Sequence, residues 1–177
     1  MRFVEKIIII GDGAVGKTTL IKKYTQGEFQ EDYISTIGAQ FSIYEQKING
    51  DDIKLFLWDL AGQDDFQVFR SSFYEDSKAA IIVYSLERNQ LGSESLKNVM
   101  KWYDEIKQYC EDIPIIIFAN KADLVEDTEI DESGFEELSA KENYLGVYRT
   151  SAKTGNGVSN AFKTIIEKLY TIHKEIL

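Results

Sequence analysis

Four consecutive isoleucines, Ile7 to Ile10, empty directly into GDGAVGKTTL over residues 11–20, and nothing else in the chain narrows its fold as far. An unbroken apolar run of this kind reads as a buried strand. The residues that follow offer little side chain to pack. Gly11, Gly13 and Gly16 leave room for backbone N–H groups to converge on a phosphate. The stretch from Gly11 to Thr18 fits G-x-x-x-x-G-K-[ST]. A helix opening near Lys17 aims its positive end at the same point. Lys17 can reach the terminal phosphates of a nucleotide, and the Thr18 hydroxyl can bind Mg²⁺. The competing reading, a glycine turn with a solvated lysine, requires the strand–loop–helix context to be accidental. Asp12, Gly13, Ala14, Val15, Gly16, Lys17, Thr18 and Thr19 are therefore candidate nucleotide-binding residues.

The rest of the chain supplies the sheet that such a loop needs. "FVEKIIII" (3–10) is expected as the first strand, followed by a helix from near Lys17 to near Gly27. "FSIYEQKI" (41–48) and "IKLFLWD" (53–59) flank Asn49-Gly50, a hairpin signal that makes this pair antiparallel. "KAAIIVYSL" (78–86) and "IPIIIFAN" (113–120) read as doubly buried strands, with Pro114 tolerated where the second begins. "NYLGVYRT" (143–150) is a weaker strand candidate. Leu96, Val99, Met100, Tyr103, Ile106 and Cys110 recur at helical spacing, as do Val158, Ala161, Phe162, Ile165, Ile166 and Leu169. Alternation of this kind gives an α/β fold: a mostly parallel six-stranded sheet with one antiparallel edge strand and helices on both faces. Ligands on such sheets bind in the loops after the strands.

Composition enters mainly through what it excludes. The chain has 177 residues, with no linker, repeat or low-complexity tract, so a single domain over 1–177 is expected. A formal net charge of −10 argues against a nucleic-acid groove or an electrostatic hold on anionic lipid. Any polyanion must then be held by local geometry. The lone cysteine, Cys110, reads as an inert helix-face residue and fits a reducing, cytosolic setting. His173, the sole histidine, reads as solvated near the end of the last helix.

Three further stretches fall after predicted strands. "FANKAD" (118–123) brings Asn120, Lys121 and Asp123; a carboxylate there can accept from guanine N1–H and the exocyclic amine, a donor pair that adenine lacks. A surface turn explains this short motif about as well when it is taken alone. "TSAK" (150–153) brings Ser151, Ala152 and Lys153, and could offer a backbone N–H to the guanine oxygen. "WDLAGQDDF" (58–66) ends the third strand with Asp59, Gly62 and Gln63.

The set GDGAVGKT, Thr36 in "YISTIG", DLAGQ, NKAD and SAK resembles the Ras-superfamily small GTPases, across essentially the whole chain. Within that superfamily, "YISTIGAQF" and "FLWDLAGQDDF" are most similar to the Rab branch. The resemblance implies the P-loop NTPase fold of a G domain, bound GTP or GDP, and Mg²⁺. It implies that Thr18, Thr36 and Asp59 hold the metal, that Gly62 approaches the γ-phosphate, and that Gln63 orients the attacking water. Lys17, Thr36, Gly62 and Gln63 are then the catalytic set. Phe29 would pack edge-on to guanine, Tyr33 would cover the phosphates, and the stems of Lys121 and Lys153 would lie along the base. Phe29 and Tyr33 read equally well as loop anchors from the residues alone. Phe41, Trp58 and Phe73 match the aromatic triad with which Rabs face effectors.

Leu60 stands where the family usually has threonine, and Ser85 where many Rabs have aspartate. The chain ends YTIHKEIL without a cysteine to prenylate, opens without a glycine after Met1, and carries no polybasic cluster. Either the sequence stops short of a lipidated terminus or the chain is not lipid-anchored; for the sequence as given, the expectation is a monomeric, cytoplasmic GTP-hydrolysing switch with no direct membrane anchor, peripheral to membranes only through a partner. Exchange factor, GTPase-activating protein and effectors would act through the loops near 29–41 and 60–75. Two rivals stand beside it. One is a scaffold that binds GTP without turnover. The other is a P-loop small-molecule kinase, which needs a lid carrying arginines, whereas Arg2, Arg70, Arg88 and Arg149 are scattered.

Overall fold

A computed structural model describes residues 1–29, 36–62, 67–126, 130 and 132–176. Strand β1 (Arg2–Ile10) leads into helix α1 (Lys17–Gln26); β2 (Ala39–Ile48) and β3 (Asp51–Leu60) follow, then α2 (Gln67–Tyr74) and β4 (Ala79–Ser85). Next come α3 (Gln90–Lys97), α4 (Val99–Tyr109), β5 (Ile115–Asn120), a 3₁₀ turn (Ala122–Leu124), α5 (Glu136–Ser139), β6 (Tyr144–Arg149) and α6 (Val158–Ile176). The sheet runs β2-β3-β1-β4-β5-β6. The β2–β3 pair is antiparallel and every other pairing is parallel, as the sequence predicts. Asn49 and Gly50 both take positive φ, 52° and 86°, which two-residue hairpin turns require.

The isoleucine run explains the layering. Ile7 and Ile9 join the core on one face with Leu20 and Ile21 of α1 and Phe162, Ile165 and Ile166 of α6. Ile8 and Ile10 join the opposite core with Trp102, Tyr103 and Ile106 of α4 and Tyr74 of α2. Successive side chains on a strand point to opposite faces, so a strand covered on both sides must be apolar throughout. Leu60 belongs to the second core at 1% exposure; its place in the fold is packing.

Two expectations need correction. The helical stripe between β4 and β5 is not one helix. Asn98 ends α3 and begins α4, so Leu96 on α3 faces outward while Val99, Trp102, Tyr103 and Ile106 on α4 are buried. Met100 and Cys110, also placed in that stripe, are only partly buried. His173 is not simply solvated: its Nδ1 lies 3.0 Å from Glu5 Oε1 and its ring 4.2 Å from that of Phe3. Cys110 caps α4, its Sγ faces the Tyr74 carbonyl at 3.7 Å, and burial pushes its thiol up to about 11, consistent with an inert residue.

Candidate functional site

The loops after β1, β3, β5 and β6 meet along one cleft at the carboxyl ends of the parallel strands. At one end of it Gly16 caps α1 with φ 100° and, being glycine, offers the helix's first N–H groups no side-chain cap. That leaves a positive helix end and its amides facing the loop. A Cβ on Gly16 would run into the Asn120 amide, so this glycine also lets the loop after β1 touch the FANKAD stretch. Lys17 is 6% exposed, and its Nζ donates to the carbonyls of Gly11 (2.9 Å) and Asp12 (2.7 Å). The ammonium is thereby curled over the loop, where a phosphate oxygen can replace a carbonyl.

Asp12 is held from outside the loop. Its two carboxylate oxygens accept from Trp102 Nε1 and Asn98 Nδ2, each at 2.7 Å. Sequence reasoning missed both donors. The only signal was Trp102 itself, next to Tyr103 of the apolar stripe, since a buried indole N–H needs an acceptor. Ala14 stands at φ 62°, in the left-handed region that an L-residue with a Cβ enters at a cost.

Thr18, Thr36 and Asp59 converge although 41 residues separate the first from the last. Thr18 Oγ1 donates to Asp59 Oδ2 and lies 2.9 Å from Thr36 Oγ1, which is 3.4 Å from the same carboxylate oxygen. The other oxygen, Asp59 Oδ1, is buried with no hydrogen-bond partner among the described residues. Burial pushes the Asp59 carboxyl up, although the Thr18 hydroxyl and the Lys17 charge oppose it. Two hydroxyls and one carboxylate with an orphaned oxygen suit a hard dication of the Mg²⁺ kind. Among the described residues no cluster of three His, Cys, Asp or Glu side chains forms an alternative metal site. Gly62 presses on the loop: a Cβ there would collide with the backbone of Gly11 to Gly13.

The other end of the cleft is a hollow of about 300 Å³ lined by Gly16, Thr19, Phe29, Asn120, Lys121, Asp123, Ala152 and Lys153, among others. Asn120, 1% exposed, donates through Nδ2 to the Val15 carbonyl (2.9 Å) and accepts from Thr150 Oγ1 (3.2 Å) and the Ala152 N–H (3.4 Å). Ser151 Oγ donates to Asp123 Oδ1 at 2.6 Å. Asp123 is exposed, so a base docking there would itself bury the carboxylate. Lys121 has φ 63°, and its Nζ lies 2.6 Å from Glu87 Oε2, a partner that sequence reasoning did not anticipate.

Tyr33 and Gln63 lie outside the described residues. Phe41, Trp58 and Phe73 form a contiguous row, with ring centroids 5.3 Å and 5.7 Å apart, and Phe41 is 55% exposed. Lys6 Nζ sits 5.0 Å from the Trp58 ring. No helix among the described residues is long and apolar enough to cross a membrane.

The model of the Ras family matches residues 6–171. The chain is 32% identical over 171 residues to the Ras-related protein RABA2c of Arabidopsis thaliana, covering 96% of this chain and 76% of that one. It is 35% identical over 161 residues to the GTP-binding protein YPTM1 of Zea mays, covering 90% and 75%. It is 31% identical over 171 residues to the Ras-related protein Rab11A of Lotus japonicus, covering 96% and 74%.

Proposed function

Because this chain belongs to the Ras family, as a small GTPase of the Rab branch, we propose that it is a Mg²⁺-dependent guanine-nucleotide switch with one G domain over 1–177. It binds GTP and GDP, hydrolyses GTP slowly, and addresses effectors in processes of the membrane-traffic type. The observation that carries this reading is the convergence of Thr18, Thr36 and Asp59 on one point beside the open end of α1. It ties a residue of the loop before β2 to the metal and phosphate site, which is what a γ-phosphate sensor requires.

In this reading the hydroxyls of Thr18 and Thr36 and the carboxylate of Asp59 hold Mg²⁺, which when bound neutralises charge on the β- and γ-phosphate oxygens. Lys17 gives up its loop carbonyls for those oxygens, and the N–H groups of Gly13 to Thr19 line them. Asp123 selects guanine, with Asn120 bracing the pocket and Lys121, Lys153 and Phe29 flanking the base. Tyr33 covers the phosphates. Gln63 orients a water for in-line attack, and Gly62 offers its N–H to the γ-phosphate. Loss of that phosphate frees Thr36 and Gly62, so the loops near 29–41 and 60–75 change order and the Phe41–Trp58–Phe73 surface changes with them. An activating partner's arginine would add about 10³–10⁵ in rate.

The test is displacement of fluorescent GDP, with and without Mg²⁺, followed by single-turnover hydrolysis of GTP by the wild type and Gln63→Leu. GTP should compete where ATP does not, EDTA should speed release, and Gln63→Leu should bind but turn over far more slowly. Equal competition by ATP would sink the guanine reading. Binding without wild-type turnover would leave a GTP-holding scaffold.

A further inference from the structure

Ser85, at the end of β4, is the departure in sequence that the reading above leaves unused, and the structure gives it a partner. Its side chain is 2% exposed and its Oγ donates to Glu87 Oε2 at 2.9 Å. The same carboxylate oxygen accepts from Lys121 Nζ at 2.6 Å. Glu87 is itself well seated. Its backbone N–H donates back to Ser85 Oγ (3.2 Å), and its carbonyl packs where a Cβ on Gly92 would have to go. The next link is direct: the Leu86 N–H donates to the Asn120 carbonyl at 2.9 Å, which fastens this loop to the base-reading stretch. The Ser85 N–H is tied in turn to Ser95 Oγ of α3 at 3.0 Å. Burial works to raise the Glu87 carboxyl, but the hydrogen bonds from Lys121 and Ser85 outweigh it and hold it below the ordinary range.

A lysine stem is a useful wall for a flat base only if its far end is held, because a free four-carbon chain samples many rotamers. Lys121 lines the hollow, and the Glu87 carboxylate holds its ammonium. An aspartate at 85 would set a second carboxylate against Glu87 instead of donating to it, so Ser85 and Glu87 account for each other.

We propose that Glu87 is a positioning residue for the base pocket: with Ser85 behind it, it pins the Lys121 ammonium and so sets how fast bound guanine nucleotide leaves. This rests on the guanine reading above. The pair is partly exposed, with side-chain exposures of 26% for Lys121 and 21% for Glu87. Its effect is therefore that of a half-shielded ion pair, roughly fivefold in rate.

The experiment measures release of fluorescent GDP from the full chain for wild type, Glu87→Gln, Glu87→Ala, Glu87→Asp, Ser85→Ala and the double variant Ser85→Ala/Glu87→Ala, at low and high salt, with thermal stability recorded for each. Glu87→Gln and Glu87→Ala should release GDP roughly fivefold faster than wild type. The gap should narrow as salt rises, because charge is what is lost. Ser85→Ala should give a smaller acceleration that vanishes in the Glu87→Ala background, because Ser85 acts through Glu87. Glu87→Asp should recover part of the wild-type rate. Wild-type release rates in both Glu87 variants would overturn the inference while leaving guanine binding intact. So would an acceleration indifferent to salt, which would mark lost packing. Failure of the wild type itself to bind GDP would overturn the functional reading instead.

Discussion

The two ends of the cleft are built differently. At the end proposed for the phosphates the chain presents backbone: the open N-terminus of α1, the carbonyls that hold Lys17, and a loop at the left-handed φ of Gly16 and Ala14. Side chains there either converge on one point, as Thr18, Thr36 and Asp59 do, or serve as struts, as when Asn98 and Trp102 grip the Asp12 carboxylate from behind. At the end proposed for the base side chains meet side chains: Thr150 on Asn120, Ser151 on Asp123, Glu87 on Lys121. A phosphate is a compact charge that any well-aimed N–H can bind, so backbone geometry suffices. Choosing one base over another depends on which edge donors find acceptors, and only side chains vary enough to encode that choice.

The contrast can be broken most sharply at Asp123. Asp123→Asn should lose two charge-assisted hydrogen bonds to guanine, at roughly 1.5–3 kcal/mol each, and should favour xanthine nucleotide. Competition of GTP against xanthosine triphosphate for the variant measures this. Unchanged GTP affinity would mean that base choice does not reside in the side chains. A smaller effect belongs to the strut. Trp102→Phe keeps the ring but removes the donor to Asp12, which should cost about 1–3 kcal/mol in urea unfolding, because the carboxylate loses a partner in a partly buried place. If the phosphate end is a matter of backbone shape, the same variant also releases GDP faster without altering the preference for guanine over adenine. A changed base preference would blur the two ends. The smallest effect is a gain. Ala14→Gly should stabilise the protein by about 1 kcal/mol, since glycine takes φ 62° without a Cβ clash. A loss on thermal or urea unfolding would show that the Ala14 methyl makes a contact worth more than its strain.

Much of this cleft could be read along the chain because its parts are consecutive. Gly11 to Thr19, Asn120 to Asp123 and Ser151 to Lys153 each occupy one loop, and the strand before each loop is marked by its own apolar run. The antiparallel edge pair was legible for the same reason, since Asn49-Gly50 is a local turn. What escaped was held across sequence distance. Asn98 and Trp102 lie 86 and 90 residues from Asp12, and Glu87 lies 34 from Lys121. The break at Asn98 was hidden because the apolar periodicity runs through it; only the junction in space shows Leu96 falling outside the buried face.

The sequence by itself determined the layered sheet, the loop that can wrap a phosphate and the residue types available at the base, because periodicity, glycine placement and turn chemistry are local properties of a chain. Tertiary structure alone decided which of those residues are braced and by what. It brought Thr36 to Thr18 and Asp59, left Asp59 Oδ1 without a hydrogen-bond partner among the described residues, and set Glu87 against Lys121. Those outcomes depend on which strand ends the sheet order makes neighbours: β1 lies between β3 and β4, and β4 lies beside β5. No short-range pattern specifies that order, because it is fixed by how two apolar faces are covered at once.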